Sequence, residues 1–144
     1  MYLEEIKLNT TIDIPPVTIE KERMIEFAKI YDPIPLHMDE EYAKKTRFGG
    51  LIAPGVMSFM SVWANYVKDD FIADELIAGK STKIEWYKPV YAGDTLTGRL
   101  TVSAIEKRNA HNGLVTLNID IFNQKGELVM NNVTESVVKC RESV

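Results

Sequence analysis

The segment YDPIPLH places one of the chain's two histidines, His37, five residues after Asp32, with Pro33 and Pro35 between them. An aspartate and an imidazole facing one pocket can orient a water molecule, remove its proton and deliver a proton to a neighbouring carbon, which is general acid/base chemistry. The two prolines predict a stiff, extended backbone between the pair, so that less freedom is lost when both side chains converge. A structural reading of the same residues is equally simple: Asp32 ends one helix and His37 packs against, or caps, the next. Taken alone, the spacing favours the structural reading.

Gly55, eighteen residues beyond His37, adds a further element of chemistry. It lies where a helix is predicted to begin, and the first backbone N–H groups of a helix have no intrahelical partner and sit at its positive end. An oxygen that gains negative charge during a reaction can be held there. A glycine lets that oxygen approach the backbone with no side chain in the way. Close packing of the helix against a sheet would also explain the glycine and is compatible with that role.

The other polar and aromatic candidates read as structural. His111 sits in the turn RNAHNG and reads as solvated, while Asp94 in AGDT reads as turn chemistry before a strand. Trp63, Met57 and Met60 read as core, and so does the single cysteine, Cys140. Arg47, Lys83 and Lys88 could meet phosphates, although scattered cations usually only solvate a surface.

The elements that must position these residues follow from hydrophobic period. In VTIEKERMIEFAKIYDP, Met24, Phe27, Ala28 and Tyr31 form one apolar helical stripe. Thr18 is placed to cap that helix, and Pro33 ends it by disfavouring helical geometry at Asp32. MDEEYAKKT predicts a second, short helix with Asp39 as its cap, acidic residues at its start and Lys44 and Lys45 at its end. Beyond Gly49 and Gly50, Pro54 suits a first helical position. From Val56 to Val67 apolar side chains cover nearly the whole circumference, so that helix must be surrounded. Gly55, Ser58 and Ser61 give it one narrow face of small residues.

After residues 78–80 the period changes to two. Residues 81–86, 95–105, 114–122 and 128–139 read as strands, most clearly in VTLNIDI, and the turns YAGD, RNAHNG and NQKG join them. Such short connections favour antiparallel neighbours. A long antiparallel sheet and one helix that is apolar all round predict an α+β domain, residues 1–144, with the sheet curled around the helix.

Composition narrows the function classes. With 45% hydrophobic and 26% charged residues the chain is of globular type, and its net charge of −4, without a basic block, argues against nucleic acid as a partner. No apolar run approaches the length of a membrane-spanning helix. The N-terminus lacks a basic stretch followed by an apolar one, so the expected location is the cytoplasm. One cysteine and two distant histidines give no zinc-ligand spacing. Neither GxxxxGK[ST] nor GxGxxG occurs, which removes most of the case for ATP chemistry or hydride transfer.

The order Asp32-x-x-Pro35-x-His37, then DEEYAKKTRFGGLIAPG, WYKPVYAGDTL and GLVTLNIDIFNQKGELV, resembles the MaoC-like dehydratases, which include the (R)-specific enoyl-CoA hydratases. The likeness runs from about Thr18 to Val138. It implies a hotdog fold, an antiparallel sheet wrapped around a long central helix. It also implies a homodimer joined edge to edge, alone or as a dimer or trimer of dimers. The implied reaction adds water across the C2=C3 bond of an enoyl thioester, or removes it. Asp32 and His37 would handle the water and its proton, and the Gly55 N–H would hold the thioester oxygen. The substrate would be presented on coenzyme A or acyl carrier protein, with no other cofactor, no metal, no nucleic acid and no membrane. Thioester hydrolysis and a non-catalytic acyl-binding subunit are the alternatives. One departure stands out: the hydratases commonly carry asparagine where this chain has Ile34, and a small Ser-Gly pair where it has Ile30 and Tyr31.

Overall fold

The computed structural model of the chain describes residues 1–69 and 71–141. Its second half supplies four strands, β2 (Leu76–Trp86), β3 (Thr95–Lys107), β4 (Asn112–Phe122) and β5 (Leu128–Lys139), and a strand β1 (Thr11–Thr18) joins them from the first half. All neighbours are antiparallel, in the order β1-β3-β4-β5-β2. Alternation in β4 resolves as expected. Val115, Leu117, Ile119 and Ile121 are buried, while Thr116, Asn118 and Asp120 on the opposite face are half-buried. Each of those four apolar side chains contributes about 1.5–3 kcal/mol relative to exposure.

Strand β1 has no counterpart among the expected strands, because TIDIPPVT lacks a clean alternation and holds two consecutive prolines. Prolines are tolerated there because β1 is an edge strand, and the register shifts between Ile14 and Val17 where they fall. Their carbonyls are then used elsewhere: the Asn65 side-chain amide donates to the oxygens of Pro15 at 3.1 Å and Pro16 at 3.2 Å.

Four helices precede the main sheet: α1 (Lys21–Tyr31), α2 (Pro35–Met38), α3 (Glu40–Lys44) and α4 (Gly55–Val67). The cap expected from Thr18 is not formed. Thr18 ends β1, where its hydroxyl lies 3.0 Å from that of Thr95, and Glu20 precedes α1 without a side-chain cap. Asp39 does cap α3, accepting from the Tyr42 N–H at 3.1 Å. Pro54 stands one position before α4 rather than first within it.

Helix α4 touches β3 and also both β1 and β2, the two opposite edges of the sheet, so the sheet must curl around it. Val62, Phe59 and Tyr66 are buried in that contact. The enclosure is incomplete, which corrects the expectation of an all-round cover. Val56 and Met60 are each 48% exposed and Val67 is 42% exposed, so one apolar flank of α4 faces outward, and Met60 is not core. Among the described residues no helix is long and apolar enough to cross a membrane.

Candidate active site

Asp32 is fixed by the way α1 ends. Pro33 cannot donate a backbone hydrogen bond and disfavours helical geometry at Asp32, so the last helical bond is the Asp32 N–H to the Ala28 oxygen at 2.9 Å. The Asp32 carbonyl then accepts from the Ile34 N–H at 2.8 Å. Held at both backbone groups, the residue keeps a half-exposed carboxylate at the mouth of a cavity.

The segment from Asp32 to His37 is not extended throughout, which corrects the expectation drawn from its prolines. Ile34 is extended, but Pro35 opens the one-turn helix α2. Proline at a first helical position has its φ already set and loses no hydrogen bond. That turn brings His37 back toward Asp32 and buries it, only 6% exposed. His37 Nε2 lies 3.2 Å from Asp32 Oδ2, and Nδ1 lies 2.7 Å from the carbonyl oxygen of Ile52.

A carbonyl oxygen only accepts, so the Ile52 contact places a proton on Nδ1. In the neutral ring Nε2 is then an acceptor, and it faces a carboxylate that is also an acceptor. The two need a proton between them, either on the ring or from an O–H of a bridging water. In the bridged case one water donates in two directions.

The cavity has a volume of about 920 Å³. Asp32 and His37 line it together with Gly55, Val56 and Ser58 from the first turn of α4, so the three expected site residues share one pocket. Ser61, the third residue of the small face, does not line it and donates instead to the Met57 carbonyl at 2.8 Å. Ser58, fully buried, donates to the Pro54 carbonyl at 3.2 Å. Ile34 is 44% exposed and is not among the lining residues, so the departure at this position places no side chain in the pocket.

Aromatic residues form much of the wall. Phe27 and Tyr31 come from the stripe on α1, their rings 5.0 Å apart, and the 71% exposure of Tyr31 shows that it serves the rim rather than the core. Trp86, Tyr87 and Phe48 complete the wall and were not legible as site residues. The only signal is that WYKPV interrupts the period of two at the end of β2. Two of the three scattered cations also reach the rim. Arg47 lies 4.8 Å over the Phe48 ring, and Lys88 pairs with Glu127, whose carboxyl it holds below the ordinary value. Lys83 lies on β2 and pairs with Glu85 instead.

Met60 apart, the residues read as structural behave so. Cys140 is 2% exposed, His111 is exposed, and Asp94 accepts from the Tyr91 N–H at 2.9 Å within its turn. No group of three or more His, Cys, Asp or Glu residues suited to a metal occurs among the described residues.

The sequence model described as "MaoC like domain" matches residues 5–121. The uncharacterised protein YdeM of Bacillus subtilis is 28% identical over 96% of this chain and 99% of its own. Among solved structures, the MaoC-like dehydratase of Rhodospirillum rubrum superposes with a TM-score of 0.89 at 31% identity, covering 99% of each chain. The R-hydratase of Pseudomonas aeruginosa, unliganded, gives 0.78 at 25% identity over 98% of this chain and 86% of its own. The five-stranded antiparallel sheet around α4 is the hotdog arrangement that these neighbours share.

Proposed function

Because the chain belongs to the MaoC-like family, we propose that it is a hydratase or dehydratase acting at the C2=C3 bond of an enoyl thioester such as an enoyl-CoA. The observation that carries this reading is the Asp32–His37 pair, 3.2 Å apart, in one pocket with the start of α4.

A water that donates one O–H to Asp32 Oδ2 and the other to His37 Nε2 turns its oxygen lone pair toward the pocket. As that oxygen bonds to C3, the pair takes up the proton released. The π electrons move to C2 and on to the thioester oxygen, giving an enolate-like state. The pair returns the proton to C2, the carbonyl reforms, and the net change is addition of H and OH across the double bond. Dehydration is the same path reversed. The Gly55 N–H at the positive end of α4 stabilises the oxygen while it carries charge. The ring enters with Nδ1 already bonded to Ile52, so its orientation costs nothing at the moment of reaction. The thioester activates C3 by itself, so no cofactor beyond the substrate's own carrier is required. Arg47 places positive charge at the rim, where the carrier's phosphates would emerge, and Lys88, paired with Glu127, stands beside it.

The homodimer is supported by the contrast between the two sheet edges. Strand β1 is blunted by Pro15 and Pro16, whereas β2 holds no proline and is exposed almost throughout. A β2-to-β2 junction would pair its free backbone groups and cover the apolar flank of α4.

The test is the loss of conjugated enoyl absorbance when a short enoyl-CoA is mixed with the protein, with Asp32→Asn as control. Loss with the wild type alone supports hydration. Release of free thiol without that loss would move the activity to hydrolysis, and no change with either protein would sink the reading for that substrate.

A further inference from the structure

The contact between Gly55 and Trp86 holds more than packing. A Cβ built on Gly55 would lie 2.4 Å from Cε2 of Trp86, 2.5 Å from Nε1 and 2.7 Å from Cζ2. It is therefore the nitrogen-bearing edge of the indole that leans on the start of α4. Trp86 is 49% exposed, lines the pocket with Asp32, His37 and Gly55, and its Nε1–H has no acceptor among the described residues.

Covalent geometry sets a bound on the two donors. A Cβ stands about 2.5 Å from its own backbone nitrogen, so Trp86 Nε1 lies within about 5 Å of the Gly55 nitrogen. One oxygen placed about 2.9 Å from each nitrogen spans that gap. The Cβ direction of a helical residue tilts toward the helix N-terminus, which sets the indole on the side of Gly55 where its free N–H points.

We propose that the Trp86 Nε1–H is the second hydrogen-bond donor to the thioester oxygen, acting beside the Gly55 N–H. This rests on the hydratase reading for its chemistry, but the binding contact can be tested without turnover. The indole adds a fixed dipole to the helix end, and Trp86 is in this sense a catalytic residue, touching the oxygen that gains charge. Its ring also explains why position 55 admits no side chain: the space a Cβ would take is occupied by the donor itself.

Trp86→Phe keeps most of the ring surface and removes the N–H. With the enoyl-CoA assay the expected result is a fall in kcat of ~10²-fold or more with KM little changed, the pattern of an interaction made mainly in the transition state. A merely structural tryptophan would leave kcat intact once the variant is shown to be folded by circular dichroism. The chain has two tryptophans, Trp63 and Trp86, so an ¹H–¹⁵N spectrum holds two indole signals, and Trp86→Phe assigns them. Saturation with butyryl-CoA, which has no double bond to hydrate, should move the Trp86 signal downfield and leave that of Trp63 nearly in place. Wild-type kcat in Trp86→Phe, or a Trp86 signal that stays put with the saturated thioester, would overturn the proposal. A shifted Trp86 signal in a protein that fails to hydrate any enoyl-CoA would keep the donor and sink the hydratase reading.

Discussion

Asp32 Oδ2 stands 3.2 Å from His37 Nε2, with the aspartate side chain 47% exposed and the histidine side chain 8% exposed. The asymmetry separates the two residues experimentally. Asp32 is pinned mainly through its backbone, so Asp32→Asn should change stability by no more than about 1 kcal/mol, the scale of a solvent-screened pair. A general acid/base role makes the same change cost ~10²–10⁴ in kcat. Hydration at the wild-type rate by a folded Asp32→Asn protein would remove the mechanism.

His37→Ala should behave differently. It removes a buried ring and leaves the Ile52 carbonyl without its 2.7 Å partner. An unsatisfied acceptor costs at most about 1–3 kcal/mol when fully buried and less at the half-buried Ile52, so a modestly lowered denaturation midpoint should accompany the loss of activity. Urea titration with the activity assay reads both, and an unchanged midpoint would mean that the Ile52 contact contributes little.

Gly55 is not one of the glycines with positive φ, so what it requires is space and not a special backbone. Gly55→Ala keeps the N–H but drives Cβ into the Trp86 indole. In a Trp86→Ala background that obstacle is gone. The two substitutions should therefore be coupled by about 0.5–3 kcal/mol in a double-mutant cycle of unfolding free energies. Strict additivity would show that the ring yields freely.

Much of this arrangement was legible because period and chemistry agreed. The strands from β3 to β5 follow the alternation of their own residues, and Asp32, His37 and Gly55 do line one pocket. What escaped reading depended on contacts made across the fold. Strand β1 exists because an edge tolerates Pro15 and Pro16, and no local pattern announces an edge. Thr18 looked like a helix cap, but its hydroxyl is taken by Thr95, 77 residues away. Pro35 looked like an instruction for extended chain and instead starts the turn that buries His37. Ile34 looked like a missing active-site amide, yet its side chain lies outside the pocket. Trp86 gains its place at the site because β2 ends beside the first turn of α4, a fact of tertiary structure alone.

The exposed flank of α4 and the open edge of β2 make the oligomeric state testable. Met60→Glu and Ile77→Lys place charges on residues that are 48% and 49% exposed, so neither should disturb the single chain's own core. If β2 pairs with β2 of a second copy, each substitution should weaken that pairing, and light scattering should report a mass falling from two chains to one. A two-chain mass retained by both variants would place any interface elsewhere.

Cys140 offers a test of the core that is independent of the site. Burial pushes its thiol above the ordinary value of 9.0, and the nearby Glu4 carboxylate adds to the shift. Above pH 9.0 the unfolded thiol therefore loses its proton while the folded one keeps it. The folded state then binds more protons than the unfolded state, so stability is fully present below that pH and declines as pH rises through the folded value. Urea midpoints measured below and above pH 9.0 should show the decline, and Cys140→Ala, whatever its overall stability, should show a shallower one. Lysines and tyrosines contribute equally to both proteins, so the difference between their slopes isolates the thiol. Parallel slopes would mean that Cys140 titrates alike in the folded and unfolded chains, and that its burial does not raise the thiol.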